Sequence, residues 1–166
     1  GSMFEYLMPA LVMRSPAQGL LASTCRRVVR RQRQYGLEKK VPWGISESGY
    51  NARDTDLNYQ YSPFGVPGLG IVRGLADNLV VAPYATALAA MFEPDQAVKN
   101  FRALTKAGAL GAYGYYEAID FTSRRLPRGE KSVVIRSHMA HHQGMTIVAI
   151  NNVVHDEVMQ ERFHAE

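Results

Sequence analysis

Apolar residues follow a helical period in several segments of the chain. Residues 3–13 form an almost entirely apolar opening. From residue 19 to about residue 37, apolar and small side chains recur every three or four positions opposite a row of arginines, which is typical of an amphipathic helix. Ser15 and Pro16 predict where this helix starts, because serine is a favoured N-cap and proline is favoured at the first helical position.

The second half of the chain predicts four more helices. The segment "YATALAAMF" predicts a helix that opens at Asp77 or Pro83, and another helix is predicted over residues 93–110. A long helix is predicted from about residue 134 to residue 154, and "DEVMQERFHAE" is typical of a further short one. The glycine-rich, aromatic segment "GAYGYYEAIDFTSRRLPRGEKS" separates the second pair from the first.

One long segment, Trp43–Gly70, has no helical period: "WGISESGYNARDTDLNYQYSPFGVPGLG". A structureless loop of this length is uncommon in a compact domain and is usually functional. Elsewhere only "SVVI" resembles a strand, and that signal is weak. The sequence therefore predicts an all-α fold, as a helical layer or toroid in which long loops at one end of the helices shape a site.

Composition agrees with one globular domain and narrows its partners. The 166 residues are 46% hydrophobic and 20% charged. The net charge is +4, but the arginines concentrate in the predicted helix of residues 19–37, so we expect a solvated helix face and no nucleic-acid partner. Cys25 is the single cysteine, which excludes an internal disulfide and a thiolate metal cluster. No run reaches the ~18 apolar residues of a membrane span, so a soluble chain is expected.

Three glutamates beside aromatic residues are candidates for acid–base chemistry: Glu5 in "MFEYLM", Glu47 between Trp43 and Tyr50, and Glu117 after "YGYY". Glycosidic bond chemistry requires two carboxylates, and sugar rings stack on aromatic side chains. Burial of Glu5 among apolar neighbours would suit a general acid. Structural alternatives stay open: Glu5 as a buried partner of an arginine, Glu47 as an acceptor that orders its loop, and Glu117 as a helix-capping acid.

Three histidines, His138, His141 and His142, have a spacing that places ligands on one face of a helix. A zinc site would still need a further ligand and, for catalysis, an open position, and the HExxH order is absent. We therefore expect no metal and no cofactor. We expect hydrogen bonds from these rings to a polar ligand or to neighbouring residues.

Five blocks of the chain carry a family resemblance: "MFEYLMPALVM", "VPWGISESGYNARDTDLNYQYSPFGVPGLG", "LVVAPYATALAAM", "YGYYEAIDFT" and "MAHHQGM". In order and over essentially the whole chain, they resemble the glucoamylase-like region of bacterial cyclic β-1,2-glucan synthases. The resemblance implies part, about half, of an (α/α)6 toroid with long loops at one mouth. Residues 1–166 would be the C-terminal part of a glucoamylase-like domain in a much larger protein.

The resemblance also implies an activity and partners. The activity is cleavage of linear β-1,2-glucan and its transglycosylation to a cyclic glucan. The parent synthases are bacterial inner-membrane proteins, so their glycosyltransferase and phosphorylase-like parts would be partners of this region. An isolated part of a toroid exposes apolar surface, and self-association of the chain is therefore expected.

Catalytic glutamates in such a toroid are expected on loops at one mouth, which favours Glu47 and leaves Glu5 and Glu117 as competitors. One member of the catalytic pair could also lie upstream of residue 1. The predicted substrate-binding residues are Trp43, Tyr50, Asn51, Arg53, Asp54, Tyr61, Tyr115, His141 and His142. The alternative function is a non-catalytic segment that binds glucan for a catalytic domain elsewhere in the polypeptide.

Overall fold

The computed structural model describes residues 1–70 and 73–165. Within these ranges the α-helices are α1 (Met3–Leu7), α2 (Leu20–Lys39), α3 (Pro83–Ala90), α4 (Pro94–Lys106), α5 (Ala140–Val154) and α6 (Val158–His164). The strands are β1 (Ser48–Arg53), β2 (Tyr59–Ser62), β3 (Val80–Val81), β4 (Leu110–Gly111), β5 (Gly114–Tyr115), β6 (Ala118–Asp120) and β7 (Val133–Ile135). Short 3-10 turns occupy Met8–Leu11, Leu75–Asp77 and Ser123–Arg125.

Helix α2 has the predicted buried face but a different start. It begins at Leu20 with Gly19 as N-cap, so the predicted start at Ser15 and Pro16 was wrong. The carbonyl of Pro16 instead accepts a turn hydrogen bond from the Gly19 N–H. The helix ends where Lys40 adopts a left-handed backbone conformation, with φ of 57°. Its buried residues are Ala22, Cys25, Val28, Val29, Gln32, Tyr35 and Gly36, so the predicted stripe is confirmed except at Leu21, which is 52% exposed.

Helix α3 begins at Pro83, one of its two predicted starts, and α4 begins at Pro94, between the predicted Glu93 and Asp95. Pro83 and Pro94 each occupy the first turn, where a missing N–H costs no helical hydrogen bond. Every residue of α3 is buried, because this helix packs against α1, α4 and α5. Helix α5 begins at Ala140, later than predicted, because Val134 and Ile135 belong to strand β7, where "SVVI" gave the weak strand signal.

The prediction of an all-α fold was correct only in that far more residues lie in helices than in strands. Strands β1 and β2 form an antiparallel hairpin inside the supposed loop Trp43–Gly70, with an irregular register between Tyr50 and Arg53. Strands β3, β6 and β7 form an antiparallel sheet with β6 in its centre. The long aperiodic segment is therefore a framework of backbone hydrogen bonds rather than a free loop.

The sheets and helices bring three distant segments together. One apolar core lies among the helices, and a second lies against the strands. Strand β1 contacts both β6 and β7, while α5 packs on α3. The start of β1, Glu117 just before β6, and the first turn of α5 consequently meet at one place.

Two features of the outer surface bear on partners. Arg30 and Arg33 of α2 form ion pairs with Glu93, and Arg31 pairs with Glu38, so the arginine row is partly neutralised by acids of the same chain. In the part of the chain that the structure describes, no helix has the length and apolar character that crossing a membrane requires.

Candidate functional site

Glu117 and His142 form a buried pair at the meeting point of the three segments. Their side chains are each 1% exposed, and His142 Nδ1 lies 2.9 Å and 3.0 Å from the two carboxylate oxygens. The N–H of Gly49 on β1 donates to Glu117 Oε1 at 3.1 Å. A Cβ at Gly49 would lie only 3.3 Å from Glu117 Cγ, so the close approach of β1 favours glycine here. Glu117 does not cap a helix.

Two tyrosines fix the other sides of the His142 ring. Tyr84, in the first turn of α3, stacks on it with ring centroids 3.8 Å apart and an interplanar angle of 15°. The Tyr84 hydroxyl donates to the Glu47 carbonyl at 3.0 Å and lies 2.7 Å from Ser46 Oγ. Tyr61 of β2 places its hydroxyl 3.3 Å from His142 Nε2. The imidazole is therefore held in one orientation.

Glu47 completes a continuous chain of polar contacts. Its Oε1 accepts a hydrogen bond from the Tyr61 hydroxyl at 2.9 Å. The order of groups is Glu117, His142, Tyr61 and Glu47, running from the buried interior to the surface. Glu47 is half-buried and Tyr61 is 41% exposed, so this end of the chain is open to solvent.

Tyr61 lies as a neutral phenol between two acceptors. Burial, followed by the hydrogen bond to Glu47 and the charges of Glu47 and Glu117, raises the pKa of Tyr61 far above its usual value, so its phenol stays neutral. The phenol has one proton and two neighbouring acceptors, Glu47 Oε1 and His142 Nε2. Because that proton is donated to Glu47 Oε1, an imidazole with its proton on Nδ1 keeps a lone pair on Nε2, and the 3.3 Å approach of Nε2 to the phenol is then a polar contact rather than a hydrogen bond.

His141 flanks the open end. It is exposed, its ring meets His142 edge-on with centroids 4.1 Å apart, and it lies 6.5 Å from the Tyr61 ring. Burial, and then the neighbouring His142, lowers the pKa of His141, while the two glutamates oppose this shift. Glu47, His141 and His142 each offer a ligand atom, all within 4.8 Å of one another, so this group can hold a metal ion.

Glu5 lies at the start of α1, where it caps the helix. Glu5 is exposed, so the expected burial among its apolar neighbours was wrong. It forms a capping box at α1, in which the Ser2 N–H donates to Glu5 Oε2 at 2.8 Å and the Glu5 N–H donates to Ser2 Oγ at 3.2 Å. These reciprocal bonds satisfy free N–H groups at the helix start.

Trp43 also lies in a structural position. It is 9% exposed, belongs to the core among the helices, and exchanges two backbone hydrogen bonds with the Asn100 side chain. A ring buried in this way offers little face to a sugar. Its position near Glu47 in the sequence did not reveal this burial, because its partner Asn100 lies on α4, far along the chain.

Tyr50 and Asn51 contact the buried ion pair of Asp120 and Arg125, which lies beside the site. The Asn51 N–H donates to Asp120 Oδ2 at 3.0 Å, and its side-chain amide donates to the Arg125 carbonyl. Tyr50 packs edge-on against Phe64 while the Arg125 guanidinium lies 4.8 Å from its ring centre. Both residues thus order β1.

Arg53 and Asp54 lie at the outer end of the β1–β2 hairpin. Asp54 Oδ1 accepts hydrogen bonds from the N–H groups of Asp56 and Asn58, which shapes the turn. Arg53 donates to the Tyr59 hydroxyl and lies over that ring at 4.4 Å. These contacts are with the hairpin itself rather than with the chain from Glu47 to Glu117.

Tyr115 approaches the buried pair from another side. It lines a cavity of about 170 Å³ together with Tyr84, Glu117 and His142. Its hydroxyl donates to the Phe101 carbonyl at 3.1 Å and contacts Thr105 Oγ1, which fixes the ring at the cavity wall. A larger cavity of about 340 Å³ lies away from this cluster, between the α1–α2 connection and α6.

Sequence reasoning did not identify Tyr84, Ser46 or Gly49 as site residues. Tyr84 was visible only as an aromatic residue in a predicted helix, and Ser46 and Gly49 only as neighbours of Glu47. Their roles depend on contacts with residues far along the chain, such as the hydrogen bond from Gly49 to Glu117.

Comparison with known proteins places this site in a family context. The family model described as "Putative glucoamylase" matches residues 1–166. The cyclic beta-(1,2)-glucan synthase NdvB of Rhizobium meliloti is 52% identical to the chain over 166 residues, which are 100% of this chain and 6% of that protein. The chain therefore spans a small part of the length of this relative.

Solved structures support the same fold. Crystal structures described as a putative glucoamylase, from Bacteroides caccae and Bacteroides uniformis, superpose with TM-scores of 0.67 and 0.64 at 18% and 19% identity. Each comparison covers 100% of this chain and 38% of the other. The resemblance inferred from the sequence is confirmed, and the chain belongs to the "Putative glucoamylase" family.

Proposed function

We propose that this chain supplies acid–base residues to a domain that cleaves linear β-1,2-glucan and transfers it to form a cyclic glucan. The observation that carries the proposal is the solvent-open carboxylate of Glu47, linked through Tyr61 and His142 to the buried carboxylate of Glu117. Glycosidic bond chemistry uses a pair of carboxylates, of which Glu47 would be one. The substrate class follows from the relative described as a cyclic beta-(1,2)-glucan synthase.

The two glutamates differ in their surroundings, and we assign them different roles. Glu47 Oε1 accepts from Tyr61, and Oε2 has no hydrogen-bond partner among the described residues, so Oε2 is free to meet a glycosidic oxygen or a water. Both oxygens of Glu117 face hydrogen-bond donors inside the protein. Glu47 is therefore the catalytic carboxylate of this chain, and Glu117 is a positioning residue that acts through His142. Glu5, in its capping box, is structural.

The second catalytic carboxylate then comes from another part of the parent domain. Whole-chain alignment to 38% of two glucoamylase-like structures supports this view, because those proteins contain much more of the fold. We propose that residues 1–166 form about half of an (α/α)6 toroid, as its C-terminal part. By the same resemblance, the parent is an inner-membrane synthase whose other domains are partners of this one.

Sugar contacts are proposed where rings are accessible beside Glu47. Tyr61 and His141 are exposed there, and Tyr115 lines the cavity next to Glu117. Trp43, Tyr50 and Asn51 are assigned to holding the hairpin and core in place.

The test is Glu47→Gln in the full-length parent protein, with linear β-1,2-glucan as substrate. Glutamine keeps the shape of the side chain and can still accept from Tyr61, but it cannot exchange a proton with the substrate. Turnover should fall roughly 10²–10⁴-fold, the usual contribution of a general acid or base, while glucan binding is retained. Glu130→Gln, at an exposed acid outside the cluster, is the matched control and should leave turnover unchanged.

The same experiment separates the enzyme from a module that only holds glucan. Burial of Glu117 favours that alternative, since it leaves one accessible carboxylate in the cluster. A holding module needs aromatic and hydrogen-bonding groups but no proton transfer. Unchanged turnover and unchanged binding in Glu47→Gln would therefore reject the catalytic assignment.

A further inference from the structure

We propose that Glu47, His141 and His142 form a binding site for a divalent transition metal, with Zn²⁺ as the best match. Their three ligand atoms lie within 4.8 Å of one another. Two imidazoles and one carboxylate are a donor set that zinc uses in proteins, with an open fourth position for water. The proposal concerns binding and does not depend on the glucan chemistry.

The surroundings of His142 are those of a metal ligand. Its Nδ1 faces the Glu117 carboxylate at 2.9–3.0 Å, which favours the tautomer with the proton on Nδ1 and leaves Nε2 as a lone-pair donor toward the open end. Carboxylate groups commonly orient metal-binding histidines in this way. Glu117 is in turn held by the Gly49 N–H, so the orientation is built into the fold.

A modest adjustment brings the ligands to coordination distance. Donors bound at 2.0–2.1 Å to a tetrahedral ion lie about 3.4 Å apart, closer than the present limit of 4.8 Å. His141 is exposed, so a rotamer change can close the gap without disturbing the core. The Tyr61 hydroxyl now lies beside both Nε2 and Oε1, and Tyr61 is 41% exposed, which lets it yield to the ion.

The local charges favour a cation despite the nearby helix start. The first turn of α5 carries His141 and His142, and a helix N-terminus disfavours positive charge. The carboxylate of Glu47 belongs to the ligand group and that of Glu117 contacts His142 Nδ1, and the negative charges of both oppose that effect. Tyr61 and Tyr84, which also face it, are neutral phenols.

The consequence for catalysis rests on the proposed function. A metal bound to Glu47 would occupy the carboxylate assigned to proton transfer. Zinc should therefore inhibit the parent enzyme, and a chelator should restore turnover. If zinc binds but does not inhibit, the catalytic role of Glu47 is contradicted. The binding experiment below decides the metal site independently.

The test is a calorimetric titration of ZnSO4 into the untagged, metal-free 166-residue chain. We expect one ion per chain, and His141→Ala should weaken binding at least tenfold. Glu117→Gln should weaken it roughly 10–100-fold, the usual effect of removing the group that orients a ligand. His138→Ala is the matched control, because His138 is also exposed but packs at a tilt against Tyr116 and is outside the ligand group.

Cobalt gives a second readout that distinguishes this site from surface binding. Co²⁺ at the proposed site should give the intense visible bands of four-coordinate cobalt, and these should disappear in His141→Ala but persist in His138→Ala. Circular dichroism checks that each variant is folded. Absence of zinc binding by the folded chain, or binding that survives His141→Ala and Glu47→Gln, would overturn the proposal.

Discussion

Arg125 and Asp120 form a buried ion pair whose disruption tests what holds the site together. Asp120 is 0% exposed, and the Arg125 guanidinium reaches it at 2.6 Å from Nε and 3.1 Å from a terminal nitrogen. The N–H groups of Asn51 and Thr122 donate to the same carboxylate at 3.0 Å and 2.9 Å. The pair thereby holds β1 beside β6, the two strands that position the candidate site.

We predict that Arg125→Met lowers the free energy of unfolding by about 3 kcal/mol. Breaking a buried pair by removing one partner costs about 3–5 kcal/mol, because the remaining charge is left uncompensated. The low end applies here, since two N–H donors still bind Asp120. For a chain of this size the change corresponds to a melting temperature roughly 6–12 °C lower.

The measurement is urea unfolding followed by circular dichroism, compared with Arg124→Met. Arg124 is exposed and donates to Asn78, so its replacement should change stability by less than about 0.5 kcal/mol. Replacing Asp120 by Asn in the Arg125→Met background should recover part of the loss, because no unpaired charge remains. Equal stability of the two arginine variants would refute the argument that the buried pair supports β1 and β6.

Three other predictions concern the site, the cysteine and the apolar surface. Gly49→Ala should lower the free energy of unfolding in urea by about 1–3 kcal/mol and reduce turnover of the parent enzyme, because the added methyl group crowds Glu117. Unchanged stability and unchanged turnover would contradict the close packing. Burial raises the pKa of the Cys25 thiol, so it should react slowly with a thiol reagent at pH 8 and rapidly in denaturant; equal rates would contradict its burial. Ile147 and Val154 of α5 are 68% and 64% exposed, so changing both to Glu should reduce self-association measured by sedimentation velocity. A wild-type chain that is monomeric at high concentration would contradict the expected self-association.

The predicted helices were the most reliable part of the fold, for local reasons. Pro83 and Pro94 set the starts of α3 and α4, because the restriction on a proline and its missing N–H act within one turn. The stripe on α2 follows from the 3.6-residue period. The start of α2 was wrong because Ser15 and Pro16 carry a start signal that the chain uses for a turn.

Apart from β7, for which "SVVI" gave a weak signal, the strands were missed because they are short and lack alternation. Strands β3, β4 and β5 contain two residues each, and β1 is irregular beyond Tyr50. Such strands exist through backbone pairing with partners elsewhere in the chain, and side-chain periodicity carries little information about that pairing. The same limit explains why α5 was extended over β7.

By itself, the sequence determined the helical majority, the family, and the candidacy of Glu47, Glu117, His141 and His142, because these follow from local period and from residue identity. Only the tertiary structure decided which candidates meet. It joined Glu47 to Glu117 through Tyr61 and His142, and it assigned Glu5 to a helix cap and Trp43 to the core. The physical reason is that hydrogen bonds and burial depend on distance in space, and here they connect residues of β1, β2, α3 and α5 that are far apart along the chain.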